Sequence, residues 1–243
     1  VNISKMKKIF LLLVVHCAFC IVHLQAQVDS IIYQCDFENP NEYAKWEENA
    51  GNQGASCANK WYFGKPGSNG GEAGLFVSKD GVSNNYEASA LSVVAFRTLD
   101  FLKAGEYEFS FDWRAAGWQD SISNIDGLYV CWVPDSVKTN SLRGATMPPF
   151  VEQYALNFGR KSTKLSQSDW NTVVDTITSD GTPHKIVFVW RNGINGTYPP
   201  AACIDNILVM PVGYCHKPHD LSIVVNDLDA TFSWSGDSEA YDV

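Results

Sequence analysis

Glu106-Tyr107-Glu108-Phe109-Ser110-Phe111-Asp112-Trp113-Arg114 is the stretch whose reading decides the fold. Tyr107, Phe109, Phe111 and Trp113 fall on every second position, with Glu108, Ser110 and Asp112 between them. A period of two predicts a β-strand with an aromatic face towards a core and a charged face towards water. Seven further stretches have β character: Ile31–Phe37, Leu75–Ser78, Leu91–Arg97, Gly127–Val133, Trp170–Ile177, Ile186–Trp190 and Cys203–Met210. Gly127–Val133 and Ile186–Trp190 are apolar on both faces and predict central strands. No segment carries a 3.6-residue period, and Gly- and Pro-rich loops separate the strands. The expected fold is all-β, an antiparallel two-sheet sandwich. Its long loops, 49–59, 64–74 and 135–150, gather at sheet ends, where ligands commonly bind.

Composition narrows the function. The 243 residues carry 18 Lys+Arg against 27 Asp+Glu, a formal charge of −9. Such a chain gains nothing from counterion release on a phosphate backbone, so nucleic acid is not an expected partner.

Residues 1–26 are expected to be a signal peptide. Lys5, Lys7 and Lys8 precede an apolar run from Ile9 to Leu24, and Gln25-Ala26-Gln27 follows. Basic residues, a short apolar core and a small residue before a polar one mark a secretory leader cleaved after Ala26, with Met6 the expected start. The run is shorter than the roughly 20 apolar residues that span a bilayer. Cleavage would remove three lysines and no acid, leaving −12, and no later run is long enough to insert into a membrane. The expected location is secreted or cell-surface. Five cysteines remain beyond the leader: Cys35, Cys57, Cys131, Cys203 and Cys215. An exported protein can form disulfides, but an odd count leaves one thiol over and the pairing open. Cys131 reads equally well as a small core hydrophobe.

The segment 212–217 reads as a linker, and 218–243 adds strands at Leu221–Val225 and Ala230–Trp234. Twenty-six residues fall below the roughly 40 that usually fold unaided, so this second domain is expected to be cut short.

Cys35-Asp36-Phe37-Glu38 near the start, Gly74-Leu75-Phe76-Val77, the Tyr107–Trp113 strand, Trp170, Ile186–Trp190 and Cys203-Ile204-Asp205-Asn206-Ile207 occur in an order that resembles the MAM-like jelly rolls of bacterial surface proteins, the cleaved-adhesin or choice-of-anchor domains. The resemblance spans 29–211. Pro218-x-x-Leu221, Ala230–Trp234 and Tyr241–Val243 resemble the opening of a fibronectin type III domain. The resemblance implies an adhesion or substrate-docking role towards a host or matrix protein. It also implies a structural calcium ion tying the first strand to the last through Glu38 and Asp205. Physical chemistry agrees in part: a carboxylate set among the apolar neighbours of Asp205 needs a cation or several donors.

No nucleophile elbow, zinc-peptidase or phosphate-loop motif is present, so no enzyme activity is expected. His184 opens a strand, and Cys215-His216-x-x-His219 lacks a second cysteine pair for zinc. Glu106, Glu108 and Asp112 read as a solvated strand face rather than a glycosidase pair. Sugar binding, as an accessory module of a secreted hydrolase, is the alternative to adhesion. Trp46, Trp61, Tyr62, Trp118 and Tyr198 lie in or beside loops; Trp61 and Trp118 are the expected ligand-stacking residues. Asp-Ser/Thr-aliphatic triplets mark Ser30, Ser121, Ser136 and Thr176 as candidate O-glycan acceptors.

Overall fold

The computed structural model describes residues 31–118 and 125–212, together with the backbone of 219–226 and 229–235. The expected leader, Ser30, Ser121, Cys215 and segment 241–243 lie outside the described residues. In chain order the strands are β1 (Tyr33–Cys35), β2 (Glu47–Glu48), β3 (Lys60–Gly64), β4 (Gly74–Ser78), β5 (Leu91–Leu99), β6 (Ala104–Ala115), β7 (Gly127–Pro134), β8 (Leu142–Arg143), β9 (Gln167–Asp180), β10 (His184–Asn192) and β11 (Cys203–Pro211). Two short helices interrupt them, α1 (Pro40–Tyr43) and α2 (Pro149–Tyr154). Asn39 caps α1 by accepting the Asn41 N–H at 3.0 Å, and Pro40 supplies the preset φ of a first helical position.

The unit Ile32–Met210 is an antiparallel jelly-roll β-sandwich. One sheet runs β3-β4-β11-β6-β9, with β1 also on β11; the other runs β2-β5-β10-β7, with β8 on β5. The first and last strands lie side by side, Tyr33 opposite Val209 and Cys35 opposite Ile207.

Alternation along β6 places its residues as expected. Tyr107, Phe109, Phe111 and Trp113 are buried, while Glu108, Ser110, Asp112 and Arg114 face outwards. Phe111 meets Phe188 of the opposite sheet edge-on, ring centroids 5.3 Å apart. Filling the gap between the sheets with such rings removes apolar surface worth about 1.5–3 kcal/mol per large side chain.

Two expectations about strands need correction. β7 is apolar on both faces yet ends its sheet instead of lying inside it. Its second face is dry because α2 and a loop cover it: Phe150, Val151 and Ala50 pack on Val94, Cys131, Val133, Val187 and Val189. A doubly apolar strand therefore reports cover on both faces, not neighbours on both edges. Lys60–Gly64 is also a strand, paired along its length with β4.

Beyond Pro211 the described part of the second unit is an antiparallel hairpin, β12 (His219–Asn226) with β13 (Asp229–Ser235), Val224 opposite Thr231. The strands expected at Leu221–Val225 and Ala230–Trp234 fall within it.

Candidate functional site: an aromatic pair at one end of the sandwich

At one end of the sandwich the chain leaves β6 through Ala116-Gly117-Trp118, enters β7 through Asp126, and leaves β10 through Asn192-Gly193. Two main-chain bonds draw the first of these segments onto loop 193–200: Ala116 N–H to Pro200 O at 2.9 Å and Gly117 N–H to Tyr198 O at 3.0 Å. Trp118 and Tyr198 are thereby neighbours in space.

Tyr86 lies beneath them. Its ring packs edge-on against Trp190, centroids 5.2 Å apart, and only 3% of the residue is exposed. Its phenolic oxygen accepts the Trp118 N–H at 2.9 Å and the Tyr198 N–H at 2.9 Å. The hydroxyl donates to Asp126 Oδ2 at 2.6 Å. Asp126 is buried; Oδ2 also accepts the Trp118 N–H at 3.0 Å and Oδ1 accepts the Gly193 N–H at 2.7 Å. A buried carboxylate is tolerated only with several such donors. Burial, and then the bond to Asp126, raise the Tyr86 phenol above its ordinary pKa, so it keeps the proton it donates.

Glycine is required twice here. Gly117 has φ +73°, and a Cβ on it would meet Asp126 Cβ at 2.7 Å. A Cβ on Gly196 would meet Trp118 Cε3 at 2.9 Å, so the indole rests directly on the loop backbone. On the solvent side Tyr198 is 59% and Ile194 71% exposed, and Trp118 is half-buried. Aromatic faces held on a pinned backbone can stack on the apolar face of a flat ligand.

The other stacking residues expected from sequence are placed differently. Trp61 is fully buried and donates its indole N–H to Val93 O at 2.9 Å, so it is a core residue and not a ligand contact. It alternates inward along β3, a strand hidden between Gly- and Asn-rich loops. Trp46 is buried and stacks on Phe188 at 5.7 Å. Tyr62 is half-buried, 6.1 Å from the Phe76 ring. Trp170, which carries part of the resemblance and is not among the expected stacking residues, is half-buried, with the Arg114 guanidinium over its ring at 4.9 Å. Tyr86 and Asp126 escaped sequence reading because each is an isolated residue in an unremarkable segment.

Glu38 and Asp205 both hold loop 64–74. Glu38 Oε1 accepts the N–H of Glu72 at 2.6 Å and of Ala73 at 2.8 Å. Asp205 Oδ2 accepts the Asn69 N–H at 2.6 Å and Oδ1 the Asn206 N–H at 2.8 Å. Burial is the main influence on Asp205, with Asp112 and Asp36 adding to it, and its pKa is pushed up to about 6 despite the two N–H donors. Glu38 Oε1 and both Asp205 oxygens thus accept main-chain N–H donors, while calcium takes about 6–8 oxygen ligands, more than these two side chains supply. Among the described residues no group of three or more His, Cys, Asp or Glu side chains is placed to hold a metal ion.

His184 is buried, stacks on Trp132 at 4.8 Å and places Nδ1 3.0 Å from Thr182 O, a structural role. Cys35, Cys57, Cys131 and Cys203 are buried free thiols, and no disulfide joins the described residues. Ser136 is exposed in the turn after β7, and Thr176 is exposed on β9. No described helix is long and apolar enough to cross a membrane.

No protein-family model and no curated protein matches the chain. Several solved structures align with part of the chain. The CBM22-1–GH10 modules of the Clostridium thermocellum endo-1,4-β-D-xylanase 10B, complexed with xylohexaose, align at 13% identity and TM-score 0.42 over 77% of this chain and 30% of that one. The CBM22-1 xylan-binding domain of Paenibacillus barcinonensis Xyn10C aligns at 11% identity and TM-score 0.39, over 75% of this chain and 94% of that one. The K1 cleaved adhesin domain of Lys-gingipain from Porphyromonas gingivalis W83 aligns at 15% identity and TM-score 0.40, over 74% and 98%. Identities this low assign no ligand to this chain.

Proposed function

We propose that residues 32–210 form a non-catalytic, exported glycan-binding module whose ligand stacks on Trp118 and Tyr198. The observation that carries this reading is the pinning of both residues to one buried phenolic oxygen, which displays an exposed tyrosine on a fixed backbone. A ring held this way loses little conformational entropy on stacking.

Size favours a sugar over the host or matrix protein first expected. Among the described residues, the exposed apolar part of the patch is Ile194 and Tyr198 beside half-buried Trp118. A stable protein interface buries about 800 Å² per partner, far more than three side chains offer. The leader-like residues 1–26 support export, and the O-glycan triplets at Ser136 and Thr176 occupy exposed positions suited to modification.

Calorimetric titration with xylan, mannan and β-1,4-galactan oligosaccharides tests the reading. At least one is expected to bind, and Tyr198→Ala, which removes an exposed ring, is expected to weaken binding tenfold or more, about 1.4 kcal/mol. Binding to none of a broad glycan panel, or binding indifferent to Tyr198→Ala, would overturn it.

A further inference from the structure

We infer that Tyr86 is the positioning residue of this aromatic pair, a single buried oxygen that makes the Trp118 and Tyr198 arms behave as one ligand-binding unit. The inference deepens the glycan reading and rests on it for the nature of the ligand.

A phenol offers one donor and two acceptor sites. Tyr86 fills all three: Trp118 N–H and Tyr198 N–H come in at 2.9 Å each, and its own proton goes to Asp126 Oδ2 at 2.6 Å. The two arms come from segments 80 residues apart in the chain. Gly117 N–H to Tyr198 O and Ala116 N–H to Pro200 O bond them directly through the main chain, and Tyr86 adds one side-chain oxygen that both arms share. The support is asymmetric. Trp118 N–H also reaches Asp126 Oδ2 at 3.0 Å, whereas the Tyr198 N–H bond given by the structure goes to Tyr86 alone. Removing the oxygen should therefore loosen the Tyr198 arm first. The Tyr86 ring, wedged edge-on against Trp190, would stay in place without it.

Tyr86→Phe deletes that oxygen and nothing else. In this variant the Tyr198 amide is expected to exchange with solvent at least tenfold faster, while the Gly193 amide, held by Asp126 Oδ1, changes less. Affinity for the best-binding oligosaccharide from the panel is expected to fall at least fivefold. A general loss of stability would not change the coupling between the two rings. In the parent protein Trp118→Ala and Tyr198→Ala should weaken binding non-additively, and in the Tyr86→Phe background their effects should become additive.

Unchanged exchange at Tyr198 in a folded Tyr86→Phe protein overturns the inference, as does altered exchange with unaltered glycan affinity. Should Tyr86→Phe not fold, native-state exchange of the parent protein decides: unprotected Trp118 and Tyr198 amides overturn it, protected ones support it. A parent protein that binds no glycan, yet shows the expected exchange change, sinks the glycan reading and leaves the Tyr86 linkage standing.

Discussion

Asn59 and Asn192, 133 positions apart, bond side chain to side chain at 3.0 Å with both residues almost wholly buried. Each also bonds the main chain of the segment between Tyr86 and Leu91. Glu87 N–H donates to Asn59 Oδ1 at 2.7 Å, and Asn192 Nδ2 donates to Glu87 O at 3.0 Å and Ser89 O at 2.8 Å. This polar knot joins the start of β3, the approach to β5 and the end of β10. The residue after Asn192 is Gly193, whose N–H meets Asp126, so the knot also fixes one root of the aromatic pair.

Asn192→Ala would strip a donor from the Glu87 and Ser89 carbonyls, in part-buried bonds, and a partner from the buried Asn59 side chain. An unsatisfied buried polar group costs about 1–3 kcal/mol, so the expected loss is about 2–3 kcal/mol in urea unfolding. A change below about 0.5 kcal/mol, the range of an ordinary surface substitution, would count against the knot.

Asp205 gives a pH dependence whose sign follows from its raised pKa. A carboxyl that holds its proton more tightly in the folded chain favours folding while protonated. Its contribution is therefore present below the unfolded value of about 4 and is lost as pH rises through about 6. Urea midpoints of the parent protein and Asp205→Asn, measured from pH 4 to pH 7, should show the parent losing ground to the variant across that window. A constant difference between the two contradicts the assignment.

Burial pushes the thiols of Cys35 and Cys203 up to about 11 and also raises Cys131, so little thiolate exists at neutral pH. Mass-mapped alkylation at pH 7.5 should leave all three unmodified in the native protein and label them in urea. Stoichiometric native labelling of any one of them would mean that its strand opens.

Because Glu38 and Asp205 hold loop 64–74 through N–H donors, chelation is expected to leave the thermal midpoint where it is. A ligand specific to the native state must raise stability. A midpoint that falls on adding EGTA and recovers with excess calcium would therefore return the ion to these two carboxylates.

Some of this architecture is legible residue by residue. The aromatic alternation of β6 fixes its inner face, because side chains on successive strand positions must point to opposite sides. The β character of Cys203–Met210 is likewise legible from its apolar run. Trp61 shows where such reading stops: its loop-rich surroundings suggest a surface ring, while pairing of Lys60–Gly64 with β4 turns it inward. Trp118 and Tyr198 are recognisable as loop aromatics, but their adjacency is not, since it depends on Tyr86, 32 positions from Trp118 and 112 from Tyr198, and on Asp126, 40 positions from Tyr86.

The amino-acid order by itself determined the all-β class, the inward face of the long strands and the acidic character of the chain, because period and charge are local properties that survive any arrangement of strands. Only the tertiary structure decided which aromatic rings reach solvent, that the doubly apolar β7 is a covered edge, and that one phenol holds two distant arms. Those outcomes depend on which segments meet across the sandwich, and hydrogen bonds between residues far apart in the chain leave no periodic trace in it.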